Sequence, residues 1–234
     1  MQANLASRQL DAWEEGQAQH PLQRALTLLR LAEPEQSFDA LAALNIGERD
    51  RRLLALRRRL FGSHFEAVTP CPQCSELLEL SFIADQLPHN DAGTPGRLDE
   101  TTLPWRGATI TARLPNTLDL LEAAAHPDRR IELLLQRCTG QEISSDLRGP
   151  LQEAMAAADP MAHVEMDLEC PHCGCTWAAV FDIASYLWTE LSDRAMRWLR
   201  DIHTLARAYG WSEAEILALT PRRREAYLGF VAGA

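Results

Sequence analysis

Two Cys-Pro-x-Cys knuckles, Cys71-Pro72-Gln73-Cys74 and Cys170-Pro171-His172-Cys173, stand ninety-five residues apart in a chain of 234. Each turn presents two thiolates from a short stretch of backbone, and two turns complete a tetrahedral four-sulfur site suited to Zn²⁺. The spacing predicts one structural zinc held by Cys71, Cys74, Cys170 and Cys173. Four thiolates leave no coordination position open for water or substrate, so the metal's role is structural rather than catalytic. The long gap makes this a zinc ribbon split by an insertion, with the metal tying together two distant parts of the chain. Gly174 follows the second knuckle, at a place that favours positive φ, and Ser75 occupies the matching place in the first. Cys175 is an alternate ligand in this reading, and Cys138, within an apolar helical run, is a small core residue.

Periodicity fills in the rest. The first seventy residues read as helices. Pro21 sits in a first turn ahead of Leu22, Ala25, Leu26 and Leu29; Ser37 caps a short helix; a third helix runs from Glu48 to a stop at Gly62. Glu76 to Phe82 is a strand leaving the first knuckle. Pro88 to Arg97 is a linker rich in turn-forming residues. A hairpin around Arg106-Gly107 follows, then helices from Leu118, over Ile131–Cys138 and over Leu151–Ala158. Val164, Met166 and Leu168 alternate with acids before the second knuckle, and Trp177, Ala179 and Phe181 alternate after it, which predicts a hairpin with the metal at its tip. Asp182 caps a long helix through Tyr209, Ser212 and Glu215 form a capping box, and Thr220-Pro221 opens a last helix.

The fold expected is therefore a mostly helical α+β chain. It has an N-terminal helical part over 1–66, ribbon halves over 67–87 and 161–182, an inserted α/β module over 88–160, and a C-terminal helical part over 183–234.

The net charge of −10 disfavours general binding to nucleic acid. All 23 basic residues are arginine. Their densest run, Arg49 to Arg59, reads either as a solvated helix face paired with Glu48 and Asp50 or as a docking surface for an acidic partner. No apolar stretch is long enough to span a membrane, and Met1 to Asp11 has no signal-peptide core. The expectation is a cytoplasmic protein with reduced thiols.

Nothing in the sequence points to an enzyme. The seven histidines are scattered, and no Ser-His-Asp order, phosphate loop or HExxH occurs. Cys170-Pro-His-Cys173 matches the active-site tetrapeptide of periplasmic disulfide oxidases. There the motif opens a helix; here it lies between two strand patterns, beside a second CPxC able to share a metal. A thiol-disulfide oxidoreductase remains one alternative. A zinc-ribbon module contacting nucleic acid or a transcription complex is another, opposed by the acids that crowd both knuckles.

The closing stretch carries a family likeness. Ile202-His203-Thr204-Leu205-Ala206, then Tyr209-Gly210-Trp211-Ser212-Glu213-Ala214-Glu215-Ile216-Leu217, then Arg222-Arg223-Arg224 and Tyr227-Leu228, resembles a signature of the baseplate hub assembly chaperones of contractile-tailed phages. Related proteins occur in gene clusters of phage-tail-like contractile injection systems. Trp13-Glu14, the leucine-rich helix near Leu26, Ile46-Gly47-Glu48-Arg49-Asp50, Phe61-Gly62 and the paired knuckles fit the same pattern, so the likeness covers nearly the whole chain and is weakest between Pro88 and Pro160. It implies a non-enzymatic role in building a baseplate and partners among baseplate or hub proteins, with a place either in the cytoplasm alone or also on the particle. Arginine and aromatic density nominates Trp211, Arg222, Arg223, Arg224 and Tyr227 as part of a docking surface. The plainer reading of these residues is a capped terminal helix with a solvated arginine face.

Overall fold

The computed structural model describes residues 2–87 and 99–233; the Pro88–Arg97 linker lies outside the described residues. The chain begins with four helices: α1 (Gln2–Gly16), α2 (Pro21–Ala32), α3 (Phe38–Ala42) and α4 (Ile46–Phe61). A hairpin follows, β1 (His64–Pro70) and β2 (Leu77–Ile83), and then a second, β3 (Glu100–Trp105) and β4 (Ala108–Arg113). Helices α5 (Thr117–Ala125), α6 (Arg130–Thr139) and α7 (Ser145–Ala158) lead to a third hairpin, β5 (Val164–Glu169) and β6 (Thr176–Phe181). Helices α8 (Ile183–Tyr209), α9 (Glu213–Ala218) and α10 (Pro221–Ala232) close the chain. The three hairpins are separate two-stranded antiparallel sheets, so the fold is mostly helical α+β.

Packing divides the chain into two units, Met1–Pro34 with Ala184–Ala234, and Glu35–Ile183. The helical segment 1–66 is thereby shared between them. In the first unit, Ala6 and Leu10 of α1 meet Ala195 of α8 and Leu217 of α9, with Trp13 and Trp198 alongside. Gly16 ends α1 against the Trp188 ring, where a Cβ would overlap the indole, and Arg24 of α2 lies 4.7 Å over the same ring. Ser212 and Glu215 form their reciprocal capping box at the start of α9.

In the second unit the helix α4 begins inside the protein rather than on its surface. Asn45 caps it by accepting from the Glu48 amide at 2.8 Å. The Gly47 amide donates to the Asp159 carboxylate at 2.9 Å, and any side chain at position 47 would overlap that carboxylate. Arg49 and Asp50 are buried and paired at 2.7 Å. Burial pushes the Asp50 carboxyl up to about 6 against the pull of Arg49, with Asp182 and Asp159 adding to the rise. Farther along, Arg57 is buried over the Phe65 ring, 3.8 Å from its centroid, and donates to the Gly62 carbonyl. The arginine run is thus no single surface patch. Arg51 and Arg52 pair with Glu48 and Arg58 with Asp85, while Arg49 and Arg57 serve the interior.

The inserted module packs α6 and α7 on the β3–β4 hairpin, burying Ala112, Leu114, Leu135, Cys138, Leu147 and Leu151. Its turn, Arg106-Gly107, has φ of 47° and 82°, and Trp105 pairs with Ala108, the two-residue primed turn that matches strand twist. Asp119 is fully buried and receives Arg113, Arg137 at 2.8 Å and the Asn116 amide at 3.0 Å, which binds β4, α5 and α6 together. Helix α7 starts six residues before the expected Leu151 and carries Pro150 inside it. Strand β1 lies in a stretch read as helical; only Phe65 on its inner face is a large buried side chain, so its alternation is faint.

Candidate metal centre

Both knuckles are built on one plan. Strand β1 delivers Cys71 and β2 departs after Cys74; β5 and β6 do the same for Cys170 and Cys173. The amide of Cys71 donates to the Glu76 carbonyl at 2.8 Å and that of Ser75 to the Cys71 carbonyl at 2.9 Å. In the second knuckle Cys170 donates to Cys175 at 2.9 Å and Gly174 to Cys170 at 2.9 Å. The offsets are identical, so Ser75 corresponds to Gly174 and Glu76 to Cys175. The turn requires positive φ at its fourth step: Gly174 sits at 72° and Ser75 at 63°. Glycine takes that conformation freely, whereas the serine side chain is strained there.

The two hairpins are clamped at both ends. At the base, Phe65 and Phe82 stack at 4.9 Å, and Phe181 meets them edge-on at 5.7 and 5.4 Å. At the tip, the four cysteine sulfurs lie within 4.8 Å of one another. Cys71 and Cys173 approach to 3.7 Å and Cys74 and Cys170 to 3.6 Å. A tetrahedral ion with Zn–S bonds of about 2.3 Å would need S···S edges of about 3.8 Å, whereas a disulfide needs about 2.05 Å. The geometry fits a four-coordinate metal site and no disulfide. Cys71 and Cys170 are buried, Cys74 is half-buried and Cys173 is exposed, with Leu78, Leu80 and Trp177 packed around the cluster.

The sulfurs do not ionise alike. Desolvation opposes the Cys71 thiolate, yet the amides of Cys74 and Gln73 outweigh it and hold that thiol down at about 6. At Cys74 the Glu76 amide favours the thiolate, but desolvation and the facing sulfurs push the thiol up to about 12. Cys173 also moves up, because desolvation and the Cys71 and Cys170 sulfurs outweigh the Cys175 amide. One thiolate makes the next harder to form, and a divalent cation at the centre cancels that repulsion.

Other thiols and charges fall into place around this site. Cys175 packs beside the cluster without joining the four. Cys138 is buried in the module's core, where desolvation pushes its thiol up to about 11. The Cys170-Pro-His-Cys173 motif is followed by a strand, not a helix, so no helix dipole acts on it. Glu66, Glu76, Glu79, Glu165, Asp167 and Glu169 are all exposed around the knuckles, a field that repels phosphate. Among the described residues no helix is long and apolar enough to cross a membrane.

The C-terminal candidates form a second cluster, in the other unit. Trp211 stacks on Tyr209 at 4.7 Å and meets Tyr227 edge-on at 4.9 Å; Phe230 extends the row and is two-thirds exposed. Arg222 and Arg223 are exposed on α10, but Arg224 is not part of that surface. It is 8 % exposed and faces Asp201, because its place on α10 turns it inward. The buried set Gly47, Arg49, Asp50 and Asp159 went unnoticed as a group in the sequence. The available signal was a glycine in the first turn of a helix, where a side chain is ordinarily harmless.

No protein-family model, no curated protein and no solved structure matches this chain.

Proposed function

We propose that this chain is a non-enzymatic assembly chaperone or scaffold for the baseplate of a contractile phage tail or a phage-tail-like injection particle. In this reading one structural Zn²⁺ is held by Cys71, Cys74, Cys170 and Cys173, and the work is done by protein–protein contacts. The carrying observation is that part of the closing stretch that bears the likeness, Tyr209, Trp211 and Tyr227 with Arg222 and Arg223, lies together at the C-terminal helices. Trp211 stacks on Tyr209 and Tyr227 meets both rings edge-on, while Arg222 and Arg223 stay exposed. Large amphipathic rings beside arginine are the usual anchors of an interface. The sulfur cluster supports the non-enzymatic half, since a metal saturated by four thiolates binds no substrate.

The test is co-expression of the tagged chain with the baseplate and hub proteins encoded beside it, followed by affinity purification. The expected result is co-purification of one such protein, lost on Arg222→Glu/Arg223→Glu in a variant that melts like the parent. Co-purification of none of them, or retention of the partner by the double variant, would count against the proposal. Native mass spectrometry of the parent should find one zinc per chain.

A further inference from the structure

The β1–β2 hairpin has one face turned inward to the sulfur cluster and phenylalanines, and one face turned out. The outer face is not the polar surface expected of a solvated hairpin. Val68 is 61 % exposed, Leu77 65 % and Ile83 37 %. Pro70 pairs with Leu77 and Val68 with Glu79, so Val68, Pro70 and Leu77 adjoin across the two strands. Acid and apolar residues alternate at two-residue spacing along each strand: Glu66 then Val68 on β1, Leu77 then Glu79 on β2. Neither strand pairs beyond the other among the described residues.

The hairpins themselves supply charge of one sign, and the α4 arginines reach them at Asp85 and over Phe65. Segments 64–87 and 161–182, which hold both metal-bearing hairpins, carry eight carboxylates and no arginine. All 23 arginines lie elsewhere in the sequence. An exposed apolar strip beside the exposed Glu79 carboxylate, in hairpins that carry acids and no arginine of their own, matches a partner that brings apolar and cationic groups together.

We propose that the outer face of the β1–β2 hairpin docks an extended segment of a partner protein in which arginine or lysine and an apolar residue alternate at positions i and i+2. In an extended strand such residues share one face about 6.8 Å apart, the spacing of Leu77 and Glu79. An apolar side chain then covers Leu77 and Val68 while the cation meets Glu79. This rests on the reading of the chain as a partner-binding protein and leaves the α10 surface out of account.

The probe is a fluorescent peptide of three Arg-Ser-Val-Ser repeats, titrated by anisotropy against the full chain purified without chelator. Saturable binding is expected, at least tenfold weaker for Glu79→Arg and for Val68→Ser/Leu77→Ser, and weaker at high salt. These positions are exposed, so the variants should keep their metal and melting temperature. The Arg222→Glu/Arg223→Glu variant should bind the peptide normally, which separates this face from the α10 surface. No saturable binding overturns the proposal, as does equal binding of a scrambled peptide of the same composition or equal binding by the variants. A self-association of the parent that Leu77→Ser abolishes would assign the face to a second copy instead.

Discussion

The second unit contains two ways of keeping a two-stranded hairpin folded. An isolated hairpin is marginal in water, because two strands bury too little. The β3–β4 hairpin solves this by burial: α6 and α7 cover one face, and Leu114, Leu135, Leu147 and Leu151 make a dry core. The β1–β2 and β5–β6 hairpins rest chiefly on each other, with three phenylalanines at the base under Arg57 of α4 and four sulfurs at the tip. Their outward residues stay wet, including Val68, Leu77 and Val180. One region draws its stability from area, the other from a few directional bonds, and the two should fail under different insults.

The sharpest separation should come from the metal. Chelation, or Cys71→Ser, removes a binding free energy on the order of 10 kcal/mol in small zinc modules. Hydrogen exchange should then show β1, β2, β5 and β6 losing protection while β3, β4 and α6 keep theirs. An unchanged melting temperature in Cys71→Ser would remove the clamp from the account. The converse is Leu151→Ala, which empties a fully buried site and should cost about 2–5 kcal/mol in the module, leaving the metal content at that of the parent.

Asp119→Ala should cost the module about 2–4 kcal/mol, since it strips a buried carboxylate from arginines that remain partly solvated. Burial alone would raise the Asp119 carboxyl, but Arg113, the Asn116 amide and Arg137 outweigh it and hold it below the usual range. A group depressed in the folded state contributes stability above its unfolded pKa and loses it as pH falls through the folded value. Urea midpoints of the parent should therefore decline in acid more steeply than those of Asp119→Ala; parallel curves would place the acid sensitivity elsewhere. The smallest effect expected is at the first knuckle. Ser75→Gly should raise stability by about 1 kcal/mol by relieving a positive φ of 63°, whereas Gly174→Ser should lower it by a similar amount. A neutral Ser75→Gly would mean that the two turns differ in more than this residue.

What the sequence disclosed and what it hid divide along the same physical line. The knuckles, the Arg106-Gly107 turn and the Ser212–Glu215 cap are determined by residues within six positions of one another, so their chemistry can be read locally. The four cysteines are legible because each of the two local turns is recognisable by itself and a tetrahedral site needs both. Other features depend on what arrives from far along the chain. Arg49 and Arg57 look like surface arginines until Thr117 and Phe65 are seen beside them. Arg224 looks like its neighbours Arg222 and Arg223 until Asp201 faces it. The pairing of α1 with α9 has no local signature at all, and β1 carried too few large side chains to announce its alternation.

The start of α4 has one more consequence. Asn45 reaches Asp99 at 3.4 Å, and Gly47, two residues on, holds Asp159 at 2.9 Å. Residues near the two ends of the described part of the module are thus moored to neighbouring points on a single helix end. A segment fixed in this way behaves as a removable cassette. A short Gly-Ser bridge from 99 to 159 should spare the sulfur cluster while costing the helix end its bonds to Pro115 and Thr117, and foreign domains whose termini lie close together should be accepted in its place.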